Sequence, residues 1–147
     1  MTTKSFRGKL ADGAIETVSL HTNTGSTGYK IKKFELMPNQ PGAVDGEHVV
    51  KIYKIPQYGT PDALVDFSDN TLLGAAFFKT DISEANADSL TVIFDNETFN
   101  QDIFVTHQNI NGASEVNFYI ELEQMKLSLD ENTAATLKDI RNIKSNS

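Results

Sequence analysis

The sequence predicts a mainly β fold: an antiparallel β-sandwich of jelly-roll type with one short helix near the C-terminus. Three observations predict it. Apolar, aromatic and β-branched residues fall into about eight to ten runs of roughly five to ten residues. Gly, Pro, Asn and Asp cluster between the runs at regular intervals, as in sandwiches and jelly rolls. No βαβ alternation is present, so a parallel sheet is not expected. The 147 residues suit one domain, 1–147, without a linker or an internal repeat.

Residues 5–10 and 14–20 flank Asp12-Gly13, a pair that favours a hairpin turn between two strands. Residues 21–28 form a Thr, Asn, Ser and Gly loop. Residues 29–37 are the next strand. Tyr29 and Ile31 share one parity, Phe34 and Leu36 the other, so a bulge is expected at Lys32-Lys33. Residues 38–47 read as a loop, 49–55 as a strand, and 56–62 as a Gly and Pro turn region. A short strand is expected at 63–67, a turn at Ser68-Asp69-Asn70, and a buried strand at 72–79. Residues 81–89 are polar, with room for one helical turn. Strands follow at 90–94 and 102–107, with a polar stretch at 95–101 broken only by Phe99. Asn111-Gly112 is a second hairpin signal. Residues 115–129 carry the longest strand pattern. Val116, Phe118, Ile120 and Leu122 lie on one face, and the parity flip at Gln124 predicts a bulge or bend. Asp130, Glu131, Asn132 and Thr133 offer N-caps for a short helix over 130–143, with apolar Leu137, Ile140 and Ile143, and 144–147 is a polar tail.

Composition narrows the function. The chain has no cysteine, which excludes disulfides, thiolate zinc sites and a Cys nucleophile. No apolar run approaches the ~20 residues of a membrane-spanning helix, and the N-terminus lacks the apolar stretch of a signal peptide. Net charge is −7, a poor basis for binding nucleic acid. The charge is uneven. Residues 1–54 carry 8 cations and 5 acids, residues 55–125 carry only Lys79 against 12 acids, and residues 126–147 carry 4 cations and 3 acids. Such a split steers the basic part of one copy toward the acidic part of another, or marks two differently charged solvent faces.

The search for chemistry finds little. Residues 25–30 (Gly-Ser-Thr-Gly-Tyr-Lys) fail the phosphate-loop spacing, since two residues rather than four separate the glycines and a strand follows. His21, His48 and His107 are not spaced to share a metal and are expected at strand or loop boundaries. No Gly-x-Ser-x-Gly elbow is present. Asp66 and Asp69, and the group Asp95, Asn96, Glu97 and Asp102, lack the EF-hand pattern and read as solvated turns, with loop-bound calcium as the alternative. Tyr29, Tyr53, Tyr58 and Tyr119 are few for a sugar platform and are expected at core edges. Asn96-Glu97-Thr98 matches the glycosylation pattern as a short motif only. No catalytic residue, cofactor or metal is expected.

Two stretches carry a resemblance. One is Tyr-Lys-Ile-Lys-Lys-Phe-Glu-Leu-Met at 29–37, followed by Pro41-Gly42. The other runs from residues 91–105 through Phe-Tyr-Ile-Glu-Leu-Glu at 118–123 to Thr-Leu-Lys-Asp-Ile-Arg at 136–141. Together they resemble small virion structural proteins encoded by tailed phages of marine bacteria, over most of the chain. The resemblance implies a non-enzymatic part of a virus particle, made in the host cytoplasm. It hands over no site residues. A capsid decoration or cement protein fits first: many copies would bind the outer capsid lattice, with the major capsid protein and sister copies as partners, and without nucleic acid or membrane. Candidate contacts are Lys4, Arg7 and Lys9 on the first strand, Lys30, Lys32 and Lys33 on the third, and Leu137, Ile140 and Arg141 on the helix. The alternatives are a tail or neck component and a glycan-binding β-sandwich using the loops 56–61 and 95–101.

Overall fold

The computed structural model describes residues 2–40, 45–80 and 89–128. They form eight strands: β1 (Thr2–Leu10), β2 (Ile15–Val18), β3 (Thr27–Pro38), β4 (Gly46–Tyr53), β5 (Leu72–Thr80), β6 (Ser89–Phe94), β7 (Ile103–Asn109) and β8 (Val116–Lys126). All strand pairings are antiparallel, in a three-stranded sheet β1-β8-β3 and a five-stranded sheet β2-β7-β4-β5-β6. The mainly β architecture, consistent with a sandwich, agrees with the expectation. The expected helix at 130–143 and the polar stretch at 81–88 lie outside the described residues.

Alternation decides which sheet face is inside. On β8, Val116, Phe118, Ile120 and Leu122 are buried, and Phe34, Leu36, Ile31 and Leu10 join them from the flanking strands. The five-stranded sheet contributes Val18, Val50, Ile52, Ala76, Ile103 and Val105 to the same core. Burial of such apolar surface, at about 25 cal/mol per Å², is the main force holding the two sheets together.

The register of β3 against β8 shifts between Ile31 and Lys33, the bulge that the parity of its apolar residues predicts. No such shift occurs at Gln124. β8 pairs continuously through Lys126, and Leu127 is buried beyond the strand end with its N–H donating to the Ser26 carbonyl at 2.8 Å.

Both expected hairpins are corrected. Asp12-Gly13 joins β1 in one sheet to β2 in the other, and Asn111-Gly112 likewise joins β7 to β8. The turns are real: Gly13 and Gly112 have φ of 82° and 109°, and the Ala14 N–H donates to the Ala11 carbonyl at 3.0 Å. Partner choice, however, follows the inward-facing side chains. Phe6, Gly8 and Leu10 lie opposite Ile120, Phe118 and Val116, while Val18 lies opposite Ile103. The two corners meet, as the Gly13 N–H donates to the His107 carbonyl at 3.0 Å and the Asn109 N–H to Asp12 Oδ1 at 2.8 Å.

The expected strand at 63–67 is absent; this stretch is part of a loop over residues 54–71. Asp62, Asp66 and Asp69 each accept a hydrogen bond on Oδ1 from the backbone N–H two residues on, at 3.2, 2.9 and 2.8 Å. These Asx turns give the backbone an alternative to a sheet ladder. The segment 95–101 is not uniformly polar in behaviour. Phe99 is 2% exposed and stacks on Tyr29, and the two backbones exchange hydrogen bonds at 2.8 and 3.0 Å.

Candidate functional site

The outer face of the three-stranded sheet is the candidate site. Its composition follows from register. Thr3, Glu123 and Lys30 form one cross-strand row; Ser5, Glu121 and Lys33 the next; then Arg7, Tyr119 and Glu35; then Lys9, Asn117 and Met37. The bulge adds Lys32, whose Nζ lies 3.3 Å from Thr3 Oγ1. Opposite charges thus lie directly across from each other at Lys30 and Glu123 and at Lys33 and Glu121, the favourable arrangement on a sheet. Lys33 lies 3.5 Å from Glu35 and Lys9 lies 3.8 Å from Glu115, both exposed pairs of little energetic weight. Tyr119 donates its hydroxyl to Glu121 at 3.0 Å, and this bond raises its pKa.

The face has two ends. One holds Lys30, Lys32 and Lys33. At the other, an open groove of about 550 Å³ runs between a wall of Arg7 and Lys9 and a wall of Glu35 and Met37, over a floor of Asn117 and Tyr119. Five of the seven cations expected at an interface therefore share this face. Lys4 does not: it lies opposite Leu122, on the side of the sheet that elsewhere faces the core, although it is exposed. Leu137, Ile140 and Arg141 lie outside the described residues.

Two other cations of the basic third are withdrawn from the surface, which sequence reasoning missed. Lys51 is 3% exposed; its Nζ bonds Asp62 at 3.0 Å and the Leu64 carbonyl at 2.7 Å. Lys54 is also 3% exposed and bonds Glu97 at 2.9 Å. Alternation correctly turns Lys51 away from the core, between Val50 and Ile52. Its burial comes from the loop that crosses the outer side of the five-stranded sheet.

The histidines also depart from expectation. His48 and His107 are both fully buried and stacked, with ring centroids 5.1 Å apart, and not at solvated boundaries. His107 Nδ1 lies 2.9 Å from the Ala11 carbonyl, so that nitrogen carries the proton and Nε2 accepts. His48 Nδ1, 2.9 Å from that Nε2, is then the donor. This leaves His48 Nε2 buried, unprotonated and without a hydrogen-bond partner. Burial, followed by repulsion from His107, lowers the His48 pKa to about 4, and burial lowers that of His107 as well. The pair thus links β4 to β7 and, through His107, to Ala11 at the β1–β2 corner. His21 is exposed, with Nδ1 2.7 Å from Asp102 Oδ1. Burial disfavours the Asp102 carboxylate, yet hydrogen bonds from His21 and Leu20 hold its pKa below the usual range.

Among the described residues, no three His, Asp or Glu side chains converge to hold a metal ion. In the loop 95–101, Glu97 is committed to Lys54, and Asn100 is buried with Nδ2 donating to the Gly25 carbonyl at 3.1 Å. No helix among the described residues is long and apolar enough to cross a membrane. The chain matches no family model and no curated protein.

Proposed function

We propose that this chain is a non-enzymatic structural protein of a virus particle, a capsid decoration protein that binds the outer lattice through the lysine end of its three-stranded sheet. The observation that carries the reading is the gathering of Lys30, Lys32 and Lys33 with Arg7 and Lys9 on one exposed sheet face. The resemblance of residues 29–37 with Pro41-Gly42, and of 91–105, 118–123 and 136–141, to small virion structural proteins of tailed phages supports it. The mechanism is added buried interface, with a capsid surface of acidic character as partner; no bond is made or broken. Copy number and position in purified particles test it, by quantitative staining and electron microscopy. Hundreds of copies on the outer shell support decoration, about six or twelve at one vertex support a neck or tail ring, and absence from particles refutes both. Changing Lys30, Lys32 and Lys33 together to Glu is expected to abolish particle binding, and salt is expected to weaken it.

One observation favours a second reading, glycan binding. Tyr58 is 87% exposed beside a polar cleft of about 140 Å³ lined by Tyr53, Gln57, Thr60 and Asp62. On that reading Tyr58→Ala abolishes retention on immobilised glycans.

A further inference from the structure

We propose that copies of this chain stack head to tail, the loop 62–69 of one copy seating in the groove between Arg7, Lys9 and Met37 of the next. This rests on the assembly reading above and adds the sister copy as a partner of the same face.

The loop has the character of a docking element. Residues 56–71 contain three aspartates and no cation. Leu64 is 68% exposed, Phe67 66% and Val65 39%, and Phe67 borders a cleft that it shares with half-exposed Ile93. Phe67 and Ile93 thus share one apolar surface, with Leu64 and Val65 exposed on the same loop, and exposed apolar side chains grouped in this way mark a contact surface. The loop is also stiff. Three Asx turns, backbone bonds from Asp69 N–H to the Asp66 carbonyl and from Leu72 N–H to the Asp69 carbonyl, and the buried Lys51 ammonium hold it. Little conformational freedom remains to be lost on docking.

The groove is complementary in charge and polarity. Arg7 and Lys9 are exposed on one wall; the other holds Met37, 61% exposed and opposite Asn117, and Glu35, opposite Tyr119, so the charged lining of Arg7, Lys9 and Glu35 sums to +1. An acidic loop with a leucine and a phenylalanine matches the Arg7–Lys9 wall and the exposed Met37, with its aspartates seated on the cationic wall and away from Glu35. The groove volume, about 550 Å³, is within the range of about 300–1,000 Å³ that holds a ligand-sized group.

The fold decides the geometry of association. Arg7 and Tyr119 face outward from the three-stranded sheet, whereas Lys51, which anchors the loop, faces outward from the five-stranded sheet. Loop and groove therefore lie on opposite sides of the sandwich. Two copies related by a two-fold axis cannot satisfy both at once. Each contact leaves one free loop and one free groove, so association continues into rows or closes as a ring.

Sedimentation velocity of the full chain over a range of concentrations tests the proposal. Average mass is expected to rise with concentration and to fall in about 0.5 M salt. Arg7→Glu and Asp66→Arg are each expected to weaken association at least tenfold. Their equimolar mixture is expected to restore it, since the Arg7→Glu copy keeps the native loop, the Asp66→Arg copy keeps the native groove, and the two reversed charges match. Phe67→Ser, at an exposed position, should also weaken association while circular dichroism stays unchanged. A chain that is monomeric at every concentration, one that stops at a closed dimer, or variants that mix without rescue overturn the proposal. The two readings fail separately. A chain present in particles but monomeric in solution overturns stacking and leaves the virion role, and a stacking chain absent from particles does the reverse.

Discussion

Lowering the pH should loosen the buried pair of His48 and His107 that ties β4 to β7 and to the β1–β2 corner. His48 is fully buried and its pKa falls from 6.5 to about 4. Its ring stacks on the His107 ring and lies tilted against Phe78, and the Asp12 carboxylate favours its protonation. Between the two pKa values the unfolded chain binds a proton that the folded chain excludes. The His48 contribution is thus fully present above about pH 6.5 and is lost as the pH falls toward about 4. At about 1.36 kcal/mol per pH unit, the loss is on the order of 3 kcal/mol. The depressed pKa of His107 acts in the same direction. Urea unfolding at several pH values over this window measures the slope. His48→Gln should be less stable at neutral pH but should show a shallower dependence, by about one proton. A variant that keeps the wild-type slope would refute the reasoning, because the proton would then be taken up elsewhere.

Two further perturbations probe the buried polar groups. Glu97→Gln leaves the Lys54 ammonium buried without its counter-charge and should cost about 3–5 kcal/mol. Lys54→Met should cost less, about 1–2 kcal/mol, because the Glu97 side chain is 19% exposed and water can reach it; equal costs in denaturant unfolding contradict that asymmetry. Gly46→Ala places a methyl group 2.5 Å from His48 Nε2 and should destabilise by about 1–3 kcal/mol, with a lower urea midpoint and an unchanged m-value.

Strand positions were legible because alternation is local. The β3 bulge could be read from Ile31 and Phe34 alone, and the outward row of β8 from Asn117, Tyr119, Glu121 and Glu123. What was not legible depends on distant chain. Asp12-Gly13 announces a turn but not which sheet the next strand enters, a choice made by β8 and β7 about a hundred residues on. Phe99 is one apolar residue in a polar stretch, and only its bridge to Tyr29 reveals it as core. The candidate cations were read off the sequence, but their gathering on one face depends on β8 lying between β1 and β3, and the burial of Lys51 required knowing that residues 62–64 fold back over it. The meeting of His48 and His107 is likewise a matter of register, since Val50 lies opposite His107 and His48 opposite Asn109.

The place of β8 between β1 and β3 has a consequence for how the molecule comes into being. Thr2 pairs with Gln124, and Thr27 with Lys126, so among the described residues β1 and β3 find their strand neighbour in residues 116–126, apart from the bridge of Tyr29 to Phe99. During synthesis the edges of β1 and β3 wait for β8, the last of the described strands. Such distant pairing is slow and exposes the waiting segments to wrong partners. A chain cut before Val116 consequently retains neither the three-stranded sheet nor the face of Arg7, Lys9, Lys30, Lys32 and Lys33 built upon it.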